Sequence, residues 1–238
     1  MNNCLVCYEE IASSFGWGEF LGISKPNPVC ETCEHAFQKI SGKLCRICGR
    51  VWEEISPENR QEDICFDCHR WESDMETAGL LWANRSCFQY NERMKEVLAL
   101  YKFRGDAILA EAFTNDFKQT YEFFFKKEQR ILVPIPLSPE RLYDRGFNQS
   151  LLLAKQLSPI EIVEPLAKND SVKQSKKARQ ERMHQENPFY VTEPQKVVGK
   201  SILLIDDIYT TGTTLRMAAK VLKEAGATDI SSLTLVRS

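Results

Sequence analysis

Four aliphatic residues in succession, Ile202, Leu203, Leu204 and Ile205, follow Gly199 and read as a buried strand. Asp206 and Asp207 stand where that strand leaves the sheet. The turn Thr210-Thr211-Gly212-Thr213-Thr214 then opens a helix predicted over residues 213–225, with Leu215, Ala218, Ala219 and Leu222 inward and Gly226 as its stop. A second short buried strand is predicted at 131–135, a further one at 160–166, and alternating strands at 80–90 and 230–236. Between them lie amphipathic helices. Residues 92–103 place Met94, Val97, Leu98 and Tyr101 on one face. Residues 107–127 carry a stripe of Ile108, Leu109, Ala112, Phe113, Phe117, Tyr121 and Phe124, and a helix near Asn148 turns Leu151, Leu152, Ala154 and Leu157 inward. Strands alternating with helices predict right-handed crossovers and an α/β fold with a mostly parallel sheet, its ligand at the carboxyl edge.

The first third of the chain follows another rule. Eight of nine cysteines form four Cys-x-x-Cys pairs, Cys4 with Cys7, Cys30 with Cys33, Cys45 with Cys48 and Cys65 with Cys68. Two thiolates two residues apart reach one tetrahedral Zn²⁺, and two such turns close a structural site. Taken in order, the pairs enclose gaps of 22 and 16 residues, as in zinc ribbons. Interleaved pairing, first with third and second with fourth, is equally compatible with the spacing. No thioredoxin-like strand and helix frame the pairs, which argues against redox chemistry. Cys87 reads as a small buried hydrophobe. The expected division is a zinc-ribbon module over 1–75 with two four-cysteine sites, and an α/β domain over 80–238. Trp17, Phe20, Trp52, Phe66 and Trp71 are assigned mostly to the module's core, with an exposed docking surface as the alternative, and His35, His69 and His184 to surface or core positions, His35 or His69 being placed to stand in for a missing thiolate.

Charge separates the two parts. Residues 1–80 carry seven Lys and Arg against fourteen Asp and Glu, whereas residues 81–238 carry twenty-four against nineteen. An acidic ribbon is a poor phosphate binder, so the module reads as a scaffold or a surface for docking a protein. The chain has no run of eighteen apolar residues, and its start lacks the basic and apolar regions of a signal peptide, so a cytoplasmic protein without a membrane span is expected.

Three segments of the α/β part suit anions. The Thr210 to Thr214 turn offers amides and hydroxyls at a helix N-terminus. The loop after the second strand, Pro136, Leu137, Ser138, Pro139 and onward, sets Arg141 and Arg145 at a helix entry. Residues 168–187 carry Lys168, Lys173, Lys176, Lys177, Arg179 and Arg182 with few apolar residues, a basic flexible loop suited to a diphosphate or a single-stranded nucleic acid. Lys102 and Arg104, in Lys-Phe-Arg-Gly-Asp, stand where they can approach the same site. The adjacent acids repel unless a cation or a diol offsets them.

The strand, the acid pair and the turn resemble the ribose-phosphate signature of type I phosphoribosyltransferases, departing at Tyr209, where that signature usually has an aliphatic residue. Together with Pro-Ile-Pro-Leu-Ser-Pro-Glu-Arg-Leu-Tyr-Asp-Arg-Gly-Phe-Asn-Gln-Ser, Lys-Phe-Arg-Gly-Asp and the double ribbon, the chain is similar over essentially its whole length to the ComF family of competence proteins. The resemblance implies that Pro136 to Arg145 form a pyrophosphate loop, that Asp206 and Asp207 take ribose hydroxyls, that Thr210 to Thr214 take a 5′-phosphate, and that Mg²⁺ accompanies phosphoribosyl pyrophosphate. It further implies DNA uptake in transformation, with single-stranded DNA and a ComFA-type helicase as partners, and a position peripheral to the inner face of the membrane. The alternative is an active phosphoribosyltransferase on an unidentified acceptor, for which no residue is an obvious base.

Overall fold

A computed structural model describes residues 3–11, 27–103, 107–169 and 187–238. Trp17, Phe20, Arg104, Gly105, Asp106, Lys173, Lys176, Lys177, Arg179, Arg182 and His184 lie outside the described residues. The main sheet has the order β3 (Asn84–Gln89), β8 (Ile230–Arg237), β7 (Ile202–Tyr209), β4 (Ile131–Pro134), and each neighbouring pair is parallel. It is the α/β sheet flanked by helices that the pattern predicts.

β7 carries the core on both faces. Ile202 and Leu204 pack with Val133 and with Leu215, Ala218, Ala219 and Leu222 of α8 (Thr213–Glu224). Leu203 and Ile205 pack with Leu132, with Met94, Val97 and Leu98 of α3 (Glu92–Phe103) and with Leu153 of α7 (Gln149–Lys155). Each four-cysteine region joins one of these cores. Cys4, Val29 and Cys33 lie in the cluster with Leu203, while Cys45, Cys48, Cys65, Cys68 and Trp52 lie in the cluster with Leu204. The ribbons are therefore packed onto opposite faces of the sheet.

Several predicted elements differ. Residues 160–166 supply only a single parallel bridge, Ile162 to Leu132. Regular pairing resumes as an antiparallel hairpin of β5 (Leu166–Lys168) and β6 (Phe189–Val191), because Pro165 has no N–H to continue a ladder. The helix expected over 107–127 is two, α4 (Leu109–Ala112) and α5 (Thr114–Phe124), broken at Phe113, where φ is −107° and ψ 0°. The buried residues Leu109, Phe113, Phe117 and Phe125 keep a spacing in fours across the break, while Ile108 and Phe124 are exposed. On α7 the most buried leucine is Leu153, with Leu151 and Leu152 half-buried. The final strand is buried along its whole length rather than on alternate residues. Ser232 and Thr234 are bonded inside: Ser232 Oγ donates to Asn84 Oδ1 at 2.8 Å, Ser86 and Thr234 share a hydroxyl bond of 2.7 Å, and Asn84 Nδ2 donates to Cys48 O at 3.3 Å, whereas the buried Ser231 Oγ has no partner. The second ribbon covers the face that alternation would leave wet.

Candidate functional site

The acid pair does not end its strand. β7 continues to Tyr209, paired with β8 through Tyr209 opposite Arg237, but β4 stops at Pro134 opposite Ile205. Beyond Ile205 one edge of β7 is therefore free of a strand neighbour, and the loop leaving β4 enters that space. Its path is fixed by Pro136 and by Pro139 at the start of α6 (Pro139–Arg145), and Gly146 ends α6 in the left-handed region at φ 76°. Asn148 then caps α7, accepting from Ser150 N at 3.0 Å and donating to Ile135 O at 3.1 Å.

These turns bring distant groups onto the acids. Ser150 Oγ donates to Asp206 Oδ1 at 3.0 Å, and the Asp207 amide donates to the same oxygen at 2.9 Å. Lys102, at the end of α3, pairs with the buried Asp207 at 2.8 Å. Burial, and then the Asp207 charge, push the Asp206 carboxyl up to about 7. Arg145 is bonded through Nη1 to Gln149 Oε1 at 3.1 Å and has Asp207, Arg141 and Asp206 as charged neighbours; burial lowers its pKa. Lys168 is likewise lowered by burial, and its charged neighbours are Arg141, Asp206 and Arg145. Of the predicted site residues, Arg145 thus lies within electrostatic reach of Asp206, Asp207 and Arg141, and Lys168 within reach of Asp206, Arg141 and Arg145. Pro136 and Leu137, on the loop after β4, are half-buried. Lys168 belongs to a strand, facing Phe189 across the hairpin that joins the ends of residues 169–188.

The threonine turn lies three residues beyond the acids. Thr211 and Thr213 hydroxyls share a bond of 2.8 Å, and the Thr213 amide donates to Thr211 Oγ1 at 3.3 Å. Gly212 sits at φ 81°, and a Cβ there would meet Tyr209 Oη at 2.2 Å and Arg216 Nη1 at 2.4 Å. Both backbone conformation and space demand glycine. Thr210, Thr211 and Thr214 are exposed above it.

The cysteines group in sequence order. Cys4, Cys7, Cys30 and Cys33 form one cluster and Cys45, Cys48, Cys65 and Cys68 the other, with all ligand atoms of a cluster within 4.8 Å of one another. Sulfur separations of 3.7 Å for Cys7 and Cys30 and 3.6 Å for Cys48 and Cys65 suit the edge of a tetrahedron with metal–sulfur bonds of about 2.3 Å. Amides donate to the sulfurs, Cys30 N to Cys4 at 3.3 Å and Cys65 N to Cys45 at 3.2 Å, and a guanidinium faces each cluster, Arg93 on Cys33 at 3.3 Å and Arg237 on Cys48 at 3.6 Å. Each cluster can hold a metal ion with its thiolate charge partly offset. Among the described residues, His35 and His69 are in neither cluster, and Cys87 is a buried residue apart from them, its thiol pushed up to about 12 by burial.

Sequence reading did not single out Ser150, Arg216 or Arg237. Arg216 is buried between Tyr209 and Trp71, and its i, i+3 relation to Ala219 was the one local sign that it faces inward. Trp71 is half-buried and bonded to the turn, Nε1 to Thr211 O at 3.2 Å, so it is neither module core nor open docking surface. Trp52 is core, and Phe66 is exposed.

A parallel sheet with paired carboxylates and an anion-suited turn at its carboxyl edge, joined to two four-cysteine clusters, defines a phosphoribosyltransferase-like protein with an N-terminal metal-binding module. The phosphoribosyl transferase domain family matches residues 147–238. The chain belongs to the ComFC family of competence proteins. It is 40% identical over 236 residues to competence protein ComFC of Bacillus subtilis (strain 168), covering 99% of this chain and 95% of that one. It is 34% identical over 235 residues to competence protein ComFC of Streptococcus pneumoniae (strain ATCC BAA-255 / R6), covering 98% and 99%. With competence protein F of Haemophilus influenzae (strain ATCC 51907 / DSM 11121 / KW20 / Rd) it shares 24% identity over 226 residues, 89% of this chain and 91% of that one. Among the described residues no helix is long and apolar enough to cross a membrane.

Proposed function

We propose that the chain acts in DNA uptake during transformation, binding a phosphoribosyl-pyrophosphate-type ligand with Mg²⁺ at the carboxyl edge of the sheet and single-stranded DNA through its basic segment. The observation that carries the ligand reading is the pairing of Lys102 with Asp207, with Arg145 and Lys168 within electrostatic reach of Asp206 and Arg141 beside those two bases. Acids alone suit ribose hydroxyls and a divalent cation, and bases alone suit phosphate. Interleaved, they match a sugar diphosphate carrying both. In this reading Asp206 and Asp207 hold the ribose, Thr210, Thr211, Gly212, Thr213 and Thr214 hold the 5′-phosphate, and Pro136, Leu137, Arg141 and Arg145 hold the pyrophosphate. Calorimetry with phosphoribosyl pyrophosphate and Mg²⁺ tests it: wild type should bind, and Asp207→Ala should weaken binding at least about tenfold. Equal heats from the two proteins would remove the assignment.

The DNA part rests on Lys168, Lys173, Lys176, Lys177, Arg179 and Arg182 and on the names of the competence relatives. Retention of single strands on filters should fall steeply with salt, and no retention at low salt removes it. The division of labour is residues 80–238 for ligand and DNA, and the acidic residues 1–75, held by two structural zinc ions, for docking a ComFA-type helicase. Localisation is then cytoplasmic, with the inner face of the membrane reached through partners. A transferase is the second reading, supported by Asp206, whose carboxyl titrates near neutrality within the site and can accept a proton. Pyrophosphate release across nucleobase, amine and nucleic-acid acceptors tests it, and none released leaves binding alone.

A further inference from the structure

Two side chains beside the second cysteine cluster, Arg237 and Trp71, donate to the consecutive carbonyls of Tyr209, Thr210 and Thr211 at the back of the threonine turn. Arg237 is buried, and its Nη1 donates to Tyr209 O at 3.4 Å and to Thr210 O at 3.2 Å. Its Nη2 donates to Cys48 Sγ at 3.6 Å, and the guanidinium lies over the Tyr209 ring at 4.7 Å. Trp71, on the helix α2 (Phe66–Ser73) that carries Cys68, donates Nε1 to Thr211 O at 3.2 Å. The ring of Trp71 in turn faces the Arg216 guanidinium at 4.8 Å, and Arg216 Nη1 donates to Tyr209 Oη at 3.0 Å.

Peptide geometry gives this bonding a consequence. In a trans peptide the C=O and the following N–H point in opposite directions. The Tyr209 carbonyl also accepts from Ser238 N at 2.9 Å across the sheet, while those of Thr210 and Thr211, turned toward Arg237 and Trp71, direct the N–H groups of Thr211 and Gly212 away from them, which is the arrangement that receives an anion. Charge points the same way. Arg216, bonded to Tyr209 Oη, is buried with Nε and Nη2 free of hydrogen-bond partners, and Arg237, over the Tyr209 ring, is buried with Nε free of one. Four thiolates around one divalent cation carry a net charge of −2, so a metal-loaded Cys45, Cys48, Cys65 and Cys68 site offsets the Arg237 guanidinium that bonds Cys48. The departure at Tyr209 is explained as well, since an aliphatic residue there could neither lie under Arg237 as a ring nor bond Arg216.

We infer that metal in the Cys45, Cys48, Cys65 and Cys68 cluster orients the phosphate-binding turn, with Arg237 as the positioning residue, so that occupancy of this one cluster sets affinity at the sugar-phosphate site. The inference rests on the turn being a phosphate site, as proposed above, for its ligand readout and stands without it for its backbone readout.

The test uses the full metal-loaded chain, ribose 5-phosphate as a probe whose one anion is the 5′-phosphate, and hydrogen exchange at residues 210–214 without ligand. Arg237→Gln should keep two metal ions per chain, weaken ribose 5-phosphate about tenfold and speed exchange in the turn. Arg93→Gln, which faces Cys33 in the other cluster, should change neither. Unchanged affinity and exchange in Arg237→Gln overturn the inference, as does an equal response from Arg93→Gln. If wild type does not bind ribose 5-phosphate, the phosphate reading fails, and exchange alone still decides the coupling. If Arg237→Gln does not fold or loses metal, Trp71→Phe decides, because it keeps a ring and removes only the bond to Thr211; exchange equal to wild type then overturns the inference.

Discussion

Asp206 shows how one residue records the purpose of a site. Its carboxyl accepts two hydrogen bonds, which favour the charged form, yet burial and the Asp207 charge outweigh them and raise it to about 7. A folded value above the ordinary one near about 4 means the folded chain holds that proton more tightly. The stability it contributes is complete below about 4 and is lost as pH rises toward 7. Asp206→Asn keeps the acceptor for Ser150 and removes the charge. Its melting temperature should rise relative to wild type as pH increases from 4 to 7 and then level, a difference on the order of a few kcal/mol at pH 8. A difference independent of pH would mean that Asp206 is not raised. Divalent cation should narrow the gap, since it stabilises only the ionised wild type.

At the scale of elements, the β3–β8 pair contains a buried polar ladder where most sheets of this kind are apolar. Asn84 is its centre, accepting from Ser232, donating to Ser86 and reaching Cys48 O in the ribbon. Asn84→Leu strands three buried partners, so it should destabilise the chain by roughly 2–4 kcal/mol, read from the denaturant midpoint. A change below about 0.5 kcal/mol would show that the ladder is dispensable. The serines and threonine of β8 were visible in sequence as alternation, and alternation ordinarily marks a strand with one wet face. That inference failed because the covering layer comes from residues 45–52, about 180 positions earlier, and no local pattern on β8 reports it. The break at Phe113 escaped for the same kind of reason, as the apolar stripe through it runs on in sequence while the tertiary core bends.

For the whole molecule, each cysteine cluster is part of a core that spans ribbon and sheet. Removing metal should therefore not release residues 1–75 as a separate unit. A strong chelator is expected to lower the single melting transition of the whole chain, by about 10 °C or more, since structural zinc contributes several kcal/mol or more to folding. Two transitions, the upper one unchanged, would contradict the shared cores.

The amino-acid sequence by itself determined the strands of β4 and β7, the helices α3 and α8, the glycine of the turn, the family and the eight cysteine ligands. Each of these depends on spacing within a few residues, where backbone geometry alone dictates what faces what. Only the tertiary structure decided that Cys-x-x-Cys pairs combine in order, that Ser150 bonds Asp206 and Lys102 pairs with Asp207 in particular, and that Arg237 is buried between the turn and a cysteine cluster. Those outcomes bring together groups as many as 189 positions apart, as with Arg237 and Cys48. Burial and charge compensation at that range are properties of packed surfaces, and a periodicity read along one segment holds no information about the segment that will cover it.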